Sequence, residues 1–261
     1  MAGYLTNYLE KKVLDHILKT ASYSPPAANS IFLALFSVTP GPTGGGTEAA
    51  YTNYQRQAIP FGAAAARAIA QNALVTFPQC GSSGDTAAYW GLFDLVSGGN
   101  LLAYGSLSVT QGIVNGNTPS VASGQVSVSF QAGVVFTGLA DTILNWLFAA
   151  GSLSQPTHVK VGLSTSTPAD DGTGITEPSG NNYSQETHDG WNAASPVSTV
   201  ETATNNLAIV MPTPSGSWGL ITYGVLYLDT TPAVRATVPN QTPNSGDTVE
   251  WLDTAFTVSL Q

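Results

Sequence analysis

Apolar residues recur near the start of the chain at steps of three and four: Leu5, Leu9, Val13, Leu14, Ile17 and Leu18. That period puts them on one face of an α-helix, with Ser24-Pro25-Pro26 as the expected stop. The same period returns in Leu139, Ile143, Leu144, Leu147 and Phe148, with Gly151 as the stop. Elsewhere the pattern is that of strands. Ile31–Phe36, Ala73–Phe77, Tyr89–Leu95 and Leu101–Leu107 are short apolar runs, and Gln125–Phe130 alternates with period two. A second series follows: Val159–Leu163, Leu207–Met211, Ile221–Leu228, Ala233–Val238 and Thr254–Leu260. Gly98-Gly99-Asn100 and Asp229–Pro232 have the composition of hairpin turns.

The two series have the same order, and local sequences agree. With Gln261 laid over Gln131, Val126–Gln131 lies over Phe256–Gln261, and Gly116-Asn117-Thr118 over Gly246-Asp247-Thr248. Ile31–Pro40 matches Val159–Pro168, Leu14–Leu18 matches Leu144–Phe148, and Asn72–Pro78 matches Asn206–Pro212. Trp90–Leu95 is laid over Tyr223–Leu228, which puts Asp94 over Tyr227, and Phe61 falls near Trp191. Internal repetition on this scale is a duplication. The expected fold is mainly β with two helices: a tandem duplication of a helix plus a small antiparallel β-sandwich or barrel. The repeats are expected over 1–131 and 136–261.

Charge adds an asymmetry. Charged residues are 9% of the chain, net charge −9, against about 25% in an ordinary soluble domain. The first repeat carries five acids and five bases, net zero; the second carries eleven acids and two bases, net −9. The expectation is that the neutral repeat faces protein partners and the acidic one faces solvent. So few bases make a poor phosphate-binding surface, so no nucleic-acid partner is expected. No apolar run approaches the length of a membrane span, and the charges in the first helix do not fit a secretory signal.

Candidate chemistry is sparse. Cys80 is the single cysteine, and His16, His158 and His188 share no metal-ligand spacing; no metal or cofactor is expected. His188-Asp189 reads as a solvated loop pair. Gly41–Thr47 reads as a mobile glycine-rich loop, and Asp170–Gly174 as a flexible acidic one without the ligand spacing of a calcium loop. Asp94 with Asp85, or Glu250 with Asp253, could be proposed as a glycosidase pair, but nothing separates them from ordinary surface acids, and no enzyme is expected. Trp90, Trp146, Trp191, Trp218 and Trp251, with Tyr51 and Tyr54, could form a sugar platform; at strand spacing they read first as core or interface anchors.

Tyr8–Leu18, Ser24-Pro25-Pro26 and Ile31–Phe36, followed by Tyr54-Gln55-Arg56-Gln57, resemble the opening of a family of tailed-phage virion proteins labelled phage tail fibre protein. Trp90–Asp94, Gly98–Gly105 and Gly116–Thr118 are similar to its later landmarks. The resemblance covers about residues 4 to 131; the second copy lacks the Pro-Pro pair, the Arg-Gln and the Gly-Gly-Asn turn. It implies a structural virion protein with no catalytic residues to transfer, assembled in the bacterial cytoplasm. The expected role is capsid decoration, cementing the major capsid protein or other virion proteins from outside the head. The alternative is a tail fibre or baseplate component touching the host surface, with a glycan as possible contact; a glycan depolymerase is a minor alternative. A homo-oligomer is expected, with a trimer as the candidate assembly. Tyr4, Tyr8, Arg56 and Arg67 are the expected interface residues.

Overall fold

A computed structural model describes residues 3–27, 30–81 and 84–260. In chain order the first half contains β1 (Tyr4–Leu5), α1 (Asn7–Ile17), β2 (Phe32–Val38), β3 (Thr47–Glu48), β4 (Gln57–Ala58), β5 (Ala68–Ala70) and β6 (Val75–Thr76). It continues with β7 (Asp85–Phe93), β8 (Leu101–Ile113), β9 (Ser120–Val121) and β10 (Ser127–Ser129). The second half contains α2 (Thr137–Phe148), β11 (Val159–Ser164), β12 (Glu186–Thr187), β13 (Ser195–Val197), β14 (Val200–Thr204) and β15 (Ile209–Val210). It ends with β16 (Ile221–Leu228), β17 (Thr231–Gln241), β18 (Glu250–Trp251) and β19 (Thr257–Ser259).

The sheets repeat. The first half has the order β1-β8-β7-β2-β3, with β4 also on β2; the second has β12-β11-β16-β17. Smaller ladders β5–β10 and β6–β9 correspond to β14–β19 and β15–β18, and isolated bridges Phe61–Gln71 and Trp191–Asn205 recur at matching places. The named ladders are antiparallel. The chain is therefore mainly β with two helices and a duplicated body.

The ladders correct one alignment. Leu33 pairs with Leu92 and Leu35 with Trp90; Val161 pairs with Leu226 and Leu163 with Gly224. Leu35 and Leu163 are equivalent, so Trp90 corresponds to Gly224, one residue beyond Tyr223, and Asp94 to Leu228. A one-residue slip moves a strand's side chains to the opposite face. Trp90 is completely buried whereas Tyr223 is half-exposed. Trp90 lies against the backbones of Gly3 and Gly105, where a Cβ would come within 2.3 and 2.5 Å of the indole. The second body fills the equivalent space from the residue before β19: Phe256 packs edge-on against Trp191 and Trp251, and a Cβ on Gly224 would meet its ring.

Neither helix ends quite as its sequence suggests. α1 stops ahead of Ser24-Pro25-Pro26, because Lys19 turns left-handed (φ 65°) and the Ala21 N–H bonds back to the Asp15 carbonyl. In α2 the left-handed residue is Ala150 (φ 57°), and the Gly151 N–H bonds to the Asn145 carbonyl. Gly151 is needed for space, since a Cβ there would approach the Asn145 backbone to 2.8 Å.

Two compact units result, and each includes a helix segment that the other repeat encodes. One comprises Met1–Glu10, Ser24–Phe130 and Asp141–Leu153; the other Lys11–Tyr23, Gln131–Ala140 and Ser154–Gln261. Charge is redistributed accordingly. The first unit holds five acids against Arg56 and Arg67, net −3. The second holds eleven acids against Lys11, Lys12, Lys19, Lys160 and Arg235, net −6. The difference of nine charges between the repeats is thus cut to three between the units, because Lys11, Lys12 and Lys19 belong to the acidic unit, while Asp141 is exchanged for Asp15.

Candidate functional site

Beside β2, Glu48, Tyr54 and Arg56 form a closed cluster. The Tyr54 hydroxyl accepts the Leu35 N–H at 3.0 Å and donates to Glu48 Oε1 at 3.0 Å. Arg56 donates Nε to Glu48 Oε1 at 2.8 Å and Nη2 to Oε2 at 2.7 Å, a bidentate pair. Its Nη1 donates to the carbonyls of Leu95 and Gly98, and its guanidinium lies 3.4 Å from the Phe93 ring centroid. Asp94 completes the turn, accepting the Asn100 N–H at 2.6 Å and the Asn100 side-chain amide at 2.7 Å. A cleft of about 550 Å³ opens here, lined by Glu48, Tyr51, Tyr54, Gln55, Arg56 and Val96. Burial, together with the nearby Glu48 carboxylate, pushes the Tyr54 hydroxyl well above its ordinary pKa. Burial and the neighbouring Cys80 and Asp85 push Tyr51 up to about 12.

The second unit keeps the geometry and changes the chemistry. Tyr183 accepts the Leu163 N–H at 2.8 Å, and Gln185 donates to Glu177 at 2.9 Å. Tyr227, at the place of Phe93, also hydrogen-bonds Glu177, and burial raises both Tyr183 and Tyr227. Gln185 and the Tyr227 hydroxyl therefore supply what Arg56 supplies in the first unit. The Val96–Gly98 wall of the cleft has no counterpart, because Asp229-Thr230 joins β16 to β17 directly. The signal was legible in Tyr54-x-Arg56 against Tyr183-x-Gln185, but the substitution of Arg by Gln hid it.

A buried amide in each unit was also missed. Gln71 donates to the carbonyls of Ala73 and Val121 and accepts the Val126 N–H at 2.9 Å. Asn205 donates to Leu207 and Leu252 and accepts the Phe256 N–H at 2.8 Å. Each amide joins two chain segments whose backbone groups would otherwise be buried unpaired.

The four residues expected at an interface lie on different elements. Tyr4, on β1, is 49% exposed, with its ring 6.3 Å from that of Tyr104. Tyr8 is half-buried on α1. Arg56 is committed to the Glu48 cluster, and Arg67 is buried in the turn before β5. Leu207 and Leu252 add an apolar spot, 67% and 63% exposed, whose carbonyls are joined by Asn205.

Several local expectations are corrected. His188 is buried against Trp191, ring centroids 5.6 Å apart, rather than solvated. Burial pulls the Asp189 carboxyl upward, but the Val159 N–H, His158 and Lys19 outweigh it and hold its pKa below the usual range. The acidic loop is tied down: Asp170 accepts Arg235 at 2.7 Å, and Asp171 accepts the Thr173 N–H and hydroxyl. Part of the glycine-rich loop is likewise pinned, as the Pro42 carbonyl accepts the Asn7 N–H. Trp90, Trp146, Trp191 and Trp218 are buried, so they form no sugar platform. Asp85 and Asp94 stand at opposite ends of β7, roughly 30 Å apart at the rise of a strand, too far to flank one glycosidic bond. Among the described residues no cluster of three or more His, Cys, Asp or Glu could hold a metal ion. Among the described residues no helix is long and apolar enough to cross a membrane.

These features define a duplicated β-rich body whose polar clusters serve to hold loops. Both halves match one family, described as podophage GP4 fiber I protein gp80, over residues 4–129 and again over 135–256. The chain belongs to that family. No curated protein matches it.

Proposed function

We propose that the chain is a structural fibre subunit of a podophage virion, carried on the tail, acting through its surface rather than through catalysis. The observation that carries this is the match of both halves to a fibre family. The polar side chains support it: Glu48, Arg56, Gln71, Asp94 and Asn205 all hold backbone or neighbouring side chains in place. Tyr4 and the Leu207–Leu252 spot are the places we assign to contact with other virion proteins or with a further copy. Two leucines held beside one another by Asn205 would lose exposed apolar area on association.

The test is a particle assembled without this protein. Filled, stable heads that lack tail appendages, and regain them when the purified chain is added, are the expected result. Heads that leak or burst while tails stay complete would overturn the tail placement and support capsid decoration instead.

A further inference from the structure

Each compact unit closes with a helix segment that the other repeat encodes. The unit built on residues 24–130 receives Asp141–Leu153 from beyond the repeat boundary. Asn145 Oδ1 accepts the Ala64 N–H at 2.8 Å, and Asp141 Oδ1 accepts the Arg67 N–H at 2.7 Å. Phe148 packs against Phe61 with centroids 5.3 Å apart. The turn they grip is strained. Ala66 and Arg67 have φ of 50° and 66°, in a two-residue hairpin closed by backbone bonds between Ala65 and Ala68. Gly or Asn normally occupies such positions, so a conformation this costly persists only when its surroundings hold it.

The other unit has the same arrangement with the halves reversed. It receives Lys11–Tyr23 from the first repeat. Asp15 Oδ1 accepts the Ala194 N–H at 2.8 Å, the Lys11 ammonium bonds the Ala194 carbonyl, and Lys11 lies 3.1 Å from Asp15 Oδ2. Ser198, in the turn between β13 and β14, again has positive φ, 62°. Asp15 and Asn145 occupy the same helical position, and Ala194 and Ala64 the same position in their loops. One docking solution thus occurs twice, always with helix and socket encoded in different repeats. Reciprocal exchange of an identical element is how two copies of one protein form a swapped dimer.

We infer that each socket is a protein-binding surface whose partner is the helix of another repeat, and that the chain is a helix-swapped dimer of repeats joined end to end. The joining peptide is then dispensable for cohesion. This does not depend on the fibre assignment. The test uses the full chain with a protease site inserted between Gln131 and Ala132, cut after folding. The cut halves should elute together at the size of the uncut chain and separate only in urea. Asp15→Ala strips the acceptor from the Ala194 N–H and should raise the separated fraction about tenfold at a fixed urea concentration. Asp15→Asn, which installs the residue of the twin socket, should keep the halves together. Where Asp15→Ala does not fold uncut, Asn145→Ala carries the same test in the other unit. Cut halves that run as smaller species, folded or aggregated, would overturn the inference. So would an Asp15→Ala or Asn145→Ala variant that separates no more readily than the parent, since cohesion would then lie elsewhere.

Discussion

The two bodies solve the same packing problem with different residues. In the first, Trp90 fills the space over Gly3 and Gly105, and Val126 is the small residue beside the buried amide of Gln71. In the second, Gly224 stands where Trp90 was, and Phe256 occupies the place of Val126 beside Asn205. Large and small have traded places. The same trade occurs at the surface cluster, where Arg56 and Phe93 give way to Gln185 and Tyr227 around a retained glutamate. What persists is the backbone bonding: a tyrosine hydroxyl under a strand N–H, an amide bridging two segments, an acceptor at one helix position. Interiors tolerate exchanged volume when the total and the pattern survive, whereas unpaired buried polar groups are costly.

Breaking the comparison should start at the indole. Trp90→Ala is expected to cost about 3–5 kcal/mol in urea unfolding, whereas Tyr223→Ala should cost less than about 1.5 kcal/mol. Equal losses would contradict the register that sets Trp90 over Gly224. Next come the amides. Gln71→Ala and Asn205→Ala should each remove about 2–4 kcal/mol, from the buried backbone groups they leave unpaired. A loss at one amide alone would show that the two bodies do not share this bridge.

Exchange between the clusters gives a smaller effect and a sharper reading. Arg56→Gln should cost about 1–2 kcal/mol and make the 94–100 turn more sensitive to protease. Adding Phe93→Tyr supplies the hydroxyl that Tyr227 gives Glu177, and should recover roughly half of that loss. No recovery would mean that the second cluster is not a neutral version of the first.

Alkaline pH tests the buried tyrosines of both bodies together. Tyr51 titrates near 10 when unfolded and at about 12 when folded, so its contribution is intact below 10 and lost as pH rises toward 12. Tyr54, Tyr183 and Tyr227 are raised in the same sense. Stability should fall above pH 10, with phenolate absorbance of these residues appearing together with unfolding. Phenolate absorbance from all tyrosines near 10 in a still-folded chain would contradict their burial.

Periodicity revealed the helices, the central strands and the duplication, because a face buried by one sheet or helix imprints its spacing on the chain. Ile221–Leu228 was legible to the residue. β8 was not: its outer part, Ser108–Gln111, is largely exposed and has Val109 as its single apolar residue, so no alternating pattern marks its run to Ile113. The alignment slip at Trp90 arose because large aromatics invite superposition, while the ladder is set by hydrogen bonds that leave no mark on side-chain type. The exchanged helix segments were hidden for a related reason. Asp15 and Asn145 do the same work, but their partners, Ala194 and Ala64, offer only backbone groups. For the surface cluster, Tyr54 and Arg56 were visible as a segment, but their commitment to Glu48 was not, and Arg56 therefore looked available for an interface.

The most direct measurement of the functional account is gold labelling of intact particles with antibody to this chain. Gold gathered on appendages of the tail is the predicted result. Gold spread evenly over the heads would contradict it and make capsid decoration the role to explain.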